Sequence, residues 1–75
     1  MITVFRAGGL RFVIYLNDHE PAHLHVYGDG EARIDIRTLR VLSVRGMSRS
    51  DVSRALAVIM ERQDYFLQRW IDIHG

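Results

Sequence analysis

Three histidines and two acidic residues lie within one ten-residue stretch, residues 17–26, which reads NDHEPAHLHV and holds the only proline of the chain. Side chains alternate along a β-strand, so His23 and His25 would project from the same face with their backbones about 7 Å apart. Imidazole nitrogens bind zinc and similar ions, and they also transfer protons near neutral pH. The stretch is therefore the candidate functional site, and three interpretations fit it.

The first interpretation is a metal site. In it, His23 and His25 share one divalent transition ion of the zinc type, and the adjoining turn supplies a third ligand. That turn offers His19, Glu20 and Asp18. Three protein ligands leave one coordination position open, which is typical of catalytic zinc sites.

The second interpretation is acid–base catalysis without a metal. A histidine paired with a carboxylate, next to an arginine that stabilises developing phosphate charge, suits RNA cleavage. All ten basic residues are arginines, whose planar guanidinium groups bind phosphate through two parallel hydrogen bonds. The catalytic candidates are His19, His23 and His25. The candidate substrate-binding residues are Arg11, Tyr15 and Arg33.

The third interpretation is structural. Histidines in a turn often bond to neighbouring carboxylates or backbone carbonyls, and they then only hold the bend in shape. The sequence leaves the three interpretations open. A catalytic face should hold its ionisable groups within hydrogen-bond reach of one another, whereas a structural bend should satisfy each histidine within its own turn.

The elements that must position these residues are strands followed by a helix. β-branched and aromatic runs separated by turn residues predict strands at 2–7, 10–17, 23–28, 31–36 and 39–44. The GDG turn at 28–30 joins the third and fourth segments into a hairpin. Along that hairpin Leu24 and Val26 would face the helix, while His23, His25 and Arg33 would lie on the opposite, accessible face.

An apolar stripe with helical spacing predicts one helix at about 49–74, with Ser48 and Asp51 at capping-box spacing. We therefore expect a single α+β domain over residues 1–75. It should have a small antiparallel sheet of four to five strands and one long C-terminal helix packed on one face.

About 25 helical residues span roughly 37 Å. A 75-residue domain is only about 29 Å across, so the helix should overhang the sheet, bend or pack against something else. Phe66, Trp70 and Ile73 would then offer surplus apolar surface to a partner.

Composition narrows the class of protein. The chain has no cysteine, which excludes a disulfide framework and a thiolate metal site. A formal net charge of +1 argues against a general nucleic-acid coat protein, although not against one local anionic site. No apolar run approaches the roughly 20 residues that cross a bilayer, and the first residues do not resemble a signal peptide. We expect a cytoplasmic protein with no membrane contact. Because it is so small, it should have a protein partner or form a homodimer.

Several motifs together resemble a known family. They are F-R-x-G-G-x-R-F at 5–12, N-D-H-x-P-x-H-x-H at 17–25, G-E-A-R at 30–33 and the long C-terminal helix. This combination resembles a compact bacterial family catalogued as a domain of unknown function, number 4160. The resemblance covers nearly the whole chain and marks six signature positions: Asn17, Asp18, His19, Pro21, His23 and His25.

The resemblance implies no established role for any of these residues. It does imply one component of a small two-gene bacterial module of toxin–antitoxin type. Two functions follow from that. The first is a toxin that acts on RNA through the histidine bend. The second is a non-catalytic antitoxin or adaptor that binds a protein encoded by the neighbouring gene through its C-terminal helix, with the bend structural or metal-holding.

Overall fold

The computed structural model describes residues 1–75 and contains a five-stranded antiparallel sheet with two helices. The strand order is β1-β2-β3-β4-β5, so each strand pairs with its neighbours in sequence. The α+β class and the antiparallel sheet are confirmed. The strands are β1 (Ile2–Ala7), β2 (Leu10–Ile14), β3 (His23–Tyr27), β4 (Glu31–Asp35) and β5 (Val41–Arg45). The helices are α1 (Arg49–Glu61) and α2 (Gln63–His74).

The two faces of the sheet follow the alternation of the β3–β4 hairpin. Leu24 pairs with Ile34, and both are fully buried in the core. One residue further along, His25 pairs with Arg33, which therefore lies with it on the opposite face. The predicted strand parity is confirmed.

The core lies between the sheet and the helices. Phe12 of β2 and Phe66 of α2 are fully buried, with ring centroids 5.5 Å apart. Ala55 and Ile59 of α1 are fully buried in the same cluster. Ser48 caps α1 by accepting a hydrogen bond from the backbone of Asp51 at 3.1 Å, as its spacing predicted.

The prediction of one long helix is wrong, because the chain bends between α1 and α2. Arg62 leaves helical geometry, with φ −127° and ψ 31°. The next side chain, Gln63, donates hydrogen bonds to the carbonyls of Ile36 and Arg37 at 2.7 and 3.0 Å. These bonds tie the bend to the end of β4. The longest dimension of the chain is 33 Å, shorter than a straight helix of that length would be.

The bend also changes the surface expected for a partner. Phe66 is fully buried and Trp70 is 3% exposed, while Ile73 is partly buried against the core. Phe66 and Trp70 therefore offer no surplus apolar surface, since α2 turns back onto the sheet. Neither helix has the length and apolar character that crossing a membrane requires.

Candidate functional site

The histidine bend begins where β2 ends, at Ile14 rather than at 17 as predicted. Asp18 closes the turn there. Its Oδ2 accepts the backbone N–H of Tyr15, and its own N–H donates to the Tyr15 carbonyl, both at 3.1 Å. Short polar side chains commonly terminate strands in this way, because they offer the backbone an alternative partner. The turn leaves the Asp18 carboxylate pointing towards the start of β3.

Asp18, His23 and His25 meet at this point, and we call them the histidine–aspartate cluster. One potential ligand atom from each lies within 4.8 Å of the other two. The His25 Nε2 lies 3.3 Å from Asp18 Oδ2, and the His23 Nε2 lies 3.6 Å from the same oxygen. All three side chains are mostly buried, with 8–15% of their surface exposed. The cluster is compact and lies just below the surface.

Hydrogen bonding defines which nitrogen of His23 carries a proton. Its Nδ1 lies 2.7 Å from the Pro21 carbonyl. A carbonyl oxygen only accepts, so Nδ1 must donate. In the neutral ring Nε2 then carries a lone pair, and that lone pair faces the carboxylate of Asp18. The Nε2 lies 3.6 Å from Asp18 Oδ2.

Burial sets the charge of His25. It lowers the pKa of this imidazole below its ordinary value of 6.5, and the opposing attraction of the Asp18 carboxylate is smaller. Burial therefore favours the neutral ring, in which one nitrogen carries a lone pair that can accept a proton or bind a metal. The edge of the Tyr15 ring packs against it, with centroids 4.6 Å apart, and holds its orientation.

Two surface clefts border the cluster. The first, which we call the Arg45 cleft, has a volume of about 310 Å³. Its lining residues are His25, Glu31, Arg33, Ser43, Val44 and Arg45. The second, the His19 cleft, has a volume of about 300 Å³. Its lining residues are Asn17, Asp18, His19, Glu20, Pro21, His23, Arg33 and Leu42. Arg33 lines both clefts, so a ligand in the Arg45 cleft meets this guanidinium and His25, and a ligand in the His19 cleft meets it with Asp18 and His23.

The structure brings together only part of the predicted site. His23 and His25 are adjacent, with ring centroids 5.1 Å apart, and Arg33 is the cross-strand neighbour of His25. Tyr15 contacts His25, and its hydroxyl shares a hydrogen bond with Tyr27 at 2.5 Å. Burial and this bond raise the pKa of Tyr27 to about 12. These residues form one continuous patch.

The other predicted residues lie outside the cluster. His19 is exposed and lines the His19 cleft, but it is not among the converging ligand atoms. Glu20 instead binds the Trp70 indole and Arg37, each at 3.1 Å. Arg11 lies further along the sheet, above the ring of Tyr27. Asp18 takes the position that the metal interpretation gave first to His19 or Glu20.

Trp70 is the residue that sequence reasoning missed at this site. Its ring packs against His23 with centroids 5.4 Å apart, which leaves His23 only 6% exposed. The prediction that both histidines lie on an accessible face is therefore wrong for His23, while the side chain of His25 is 14% exposed. The sequence offered Trp70 as surplus apolar surface, and no sequence signal related it to the bend.

The acid stability of the bend should depend on Glu20. The Trp70 hydrogen bond, aided by Arg37, lowers the pKa of Glu20 below its ordinary value of 4.5. A carboxyl whose pKa is lower in the folded state stabilises the fold above its unfolded pKa and loses that contribution as pH falls through the folded pKa. Below about pH 4.5, the melting temperature of wild type should therefore fall more steeply than that of Glu20→Gln. Parallel melting curves for the two proteins between pH 6 and 3 would contradict this.

The fold and the cluster define the class: a small α+β protein with a His–His–Asp cluster at one end of a five-stranded antiparallel meander. A family model described as a domain of unknown function (DUF4160) matches residues 9–71. The chain belongs to this family, which confirms the resemblance noted from its motifs. No curated protein and no solved structure matches the chain.

Proposed function

We propose that this protein is an RNA-directed component of a two-gene bacterial module of toxin–antitoxin type and acts in the cytoplasm. In this proposal Arg33 holds a phosphodiester of the RNA, and the histidine–aspartate cluster acts on it. One observation carries the proposal: Arg33 lines both clefts that border the cluster. A protein encoded by the neighbouring gene would be its partner in the module.

Arg33 has the properties of a phosphate-binding residue. It is exposed, and its Nε donates a hydrogen bond to Ser43 Oγ at 3.0 Å, which orients the guanidinium. Its terminal nitrogens take part in no hydrogen bond or ion pair within the chain, so they are free for a ligand. Arg45 lines the same cleft and is 88% exposed, with Glu31 the one carboxylate in the lining. The cleft is therefore locally basic, although the chain is nearly neutral overall.

The cluster supplies the second requirement for phosphodiester cleavage. Cleavage of RNA needs a group that activates the attacking hydroxyl, close to a group that stabilises charge on the phosphate. His25 and Arg33 are direct cross-strand neighbours, so these two functions lie side by side. RNA fits better than DNA because its 2′-hydroxyl is an internal nucleophile next to each phosphate.

The alternative is a non-catalytic antitoxin or adaptor that binds a neighbour-encoded protein through the C-terminal helix. Two of the three residues that motivated it, Phe66 and Trp70, are buried, and the apolar surface that the helices expose comes from Met60, Tyr65 and Ile71 instead. The RNA-directed role accounts in addition for the convergence of His23, His25 and Asp18 beside Arg33. We therefore place the RNA-directed role first.

Arg33→Ala should weaken binding of single-stranded RNA by about 10-fold or more, since a charge-assisted hydrogen bond contributes roughly 1.5–3 kcal/mol. The salt dependence of binding should also fall by about one phosphate contact. Fluorescence anisotropy of a labelled oligonucleotide at several salt concentrations measures both quantities.

The matched control is Arg49→Ala. Arg49 is exposed at the start of α1 and lines neither cleft, so the variant should bind RNA as wild type does. Equal losses of RNA affinity in the two variants would show that Arg33 contributes only a nonspecific charge. Cleavage of the same oligonucleotide by wild type, absent in His25→Ala, would support the catalytic part of the proposal. If the wild-type protein neither binds nor cleaves RNA, the proposal is rejected.

A further inference from the structure

We infer that Asp18, His23 and His25 bind a divalent first-row transition ion of the zinc type, through three protein ligands and with at least one position open towards the clefts. Of the three candidates that the turn offered as the third ligand, Asp18 is the one that joins the histidines, and His19 and Glu20 are not. The inference deepens the proposed function: its catalytic consequence rests on that function, whereas the binding of the ion can be measured without RNA.

The distances within the cluster match those of a coordination sphere. Ligands about 2.1 Å from a tetrahedral zinc ion lie roughly 3.4 Å from one another. The Asp18 carboxylate lies 3.3 Å from the His25 Nε2 and 3.6 Å from the His23 Nε2. All three ligand atoms lie within 4.8 Å of one another. A small rotation of either imidazole is enough to place an ion among them.

The spacing of the polar atoms in the cluster also favours a cation. His23 donates through Nδ1 to Pro21, so its Nε2 is the ring atom that faces the Asp18 carboxylate, 3.6 Å away. The His25 Nε2 lies 3.3–3.4 Å from the two carboxylate oxygens, at the long limit for an N–H···O bond. These mostly buried polar atoms therefore make only long contacts with one another. One divalent ion would satisfy all of them at once.

The surrounding groups hold the ligands as those of metal sites usually do. Histidine ligands commonly donate their other ring N–H to a carbonyl, which is what His23 does with Pro21. The Asp18 carboxylate is oriented by the backbone N–H of Tyr15, and the ring of that residue packs against His25. Trp70 covers His23 from the helix side. The contacts that position His23 and His25 do not involve the ring nitrogens that would face the metal. The contact that positions Asp18 involves a carboxylate oxygen, but lone pairs remain on the carboxylate for the metal.

The ligand types select the class of ion. Two imidazoles and one carboxylate suit zinc, iron, nickel or copper, whereas magnesium and calcium prefer sets made entirely of oxygen. Three protein ligands leave room for a water or a substrate oxygen. That open position would face the clefts that Arg33 lines, where metal-assisted phosphodiester hydrolysis requires it.

The test is ion binding by protein that is purified without a histidine tag and stripped of metal with a chelator. Zn²⁺ affinity is measured by competition with a chromophoric chelator, and Co²⁺ provides a visible absorption spectrum that reports the ligand geometry. Wild type should bind one ion per chain. Asp18→Asn and His25→Ala should each weaken Zn²⁺ binding by about 100-fold or more, since even residues that only orient the ligands cost 10–100-fold. Mg²⁺ should not compete.

His19→Ala and Glu20→Gln are the matched controls, because they remove the other candidate ligands of the same turn. Both should keep Zn²⁺ affinity within about threefold of wild type. Circular dichroism of the metal-free proteins shows whether each variant is folded. Asp18→Asn preserves the shape of the turn, so a loss of binding in that variant cannot be ascribed to unfolding when its spectrum matches wild type.

The outcomes separate this inference from the proposed function. Absence of Zn²⁺ binding by wild type, or an equal loss in His19→Ala and Asp18→Asn, would overturn the inference. RNA cleavage that persists after chelation would overturn the catalytic consequence of the ion while leaving the proposed function standing. Tight Zn²⁺ binding that depends on Asp18, without any action on RNA, would support the inference and reject the proposed function.

Discussion

Replacement of Trp70 by alanine should destabilise the protein by about 4 kcal/mol, because truncation of a buried tryptophan typically costs 3–5 kcal/mol. Trp70 is 3% exposed and packs against two imidazoles, those of His23 and His74. Its indole N–H also donates to Glu20 at 3.1 Å. A 75-residue domain is typically stable by only about 4–11 kcal/mol. The variant should therefore lose at least about a third of its stability, and urea denaturation followed by circular dichroism measures the loss.

Trp70→Phe is the matched control for the alanine variant. It keeps an aromatic ring against His23 but removes the indole donor and part of the volume, so it should cost about 1–2 kcal/mol. If Trp70→Ala lost less than about 1 kcal/mol, α2 would not hold the bend closed. Because Trp70 covers His23, the alanine variant should also expose that imidazole, which faster hydrogen exchange in residues 18–25 would report.

Gly30→Ala should destabilise the protein by about 3 kcal/mol, at the upper end of what overpacking usually costs. A Cβ at this position would overlap the carbonyl of Arg45 and the backbone of Gly46, which lie at the end of β5. Neither group can move without disturbing the pairing of β4 with β5. The free energy of unfolding from urea titration provides the measurement.

Gly28→Ala tests the same turn with a different neighbour. A Cβ there would lie 3.0 Å from Leu10 Cδ2, which belongs to a side chain that can shift by a few tenths of an ångström. We expect a cost of about 1 kcal/mol or less. If the two variants lose similar amounts of unfolding free energy, glycine is required at position 30 by the turn and not by the close approach of the two backbones.

The GDG turn shows how a correct prediction can have a different cause. The sequence predicted a hairpin at 28–30, and β3 and β4 do pair across it. The prediction assigned both glycines to the geometry of the turn. At Gly30 the main constraint is instead the backbone of a strand that lies fifteen residues later in the chain. A local pattern has no access to that contact.

The helical segment shows the opposite case. Its apolar stripe is nearly continuous in the sequence, but the structure has two helices with a bend between them. The apolar stripe of the helical segment has one polar position, Gln63, and a single polar residue rarely ends a helix. Here the Gln63 amide donates to Ile36 and Arg37, far from it in the chain, and those bonds fix a bend. The length of the segment offered a bend as one of three outcomes, but residues 49–74 contain no proline or glycine that would mark its position.

The sequence by itself determined the antiparallel sheet, the faces of its strands and the separation of Leu24 and Val26 from His23 and His25. It could do so because alternation along a strand is a property of the local backbone and does not depend on distant contacts. It also marked the bend at residues 17–26 as the place where ionisable groups concentrate.

Tertiary structure alone decided which side chains meet there. Side chains in an irregular turn do not alternate with a fixed period. Which of Asp18, His19 and Glu20 lies beside the histidines therefore depends on the groups to which each side chain hydrogen-bonds. The backbone N–H of Tyr15 donates to the Asp18 carboxylate and orients it, whereas the Trp70 indole N–H donates to Glu20. The contact with Trp70 spans fifty positions in the chain and forms only because α2 bends back across the sheet. Directions of side chains in turns are thus set by long-range packing, which strand and helix periodicity do not encode.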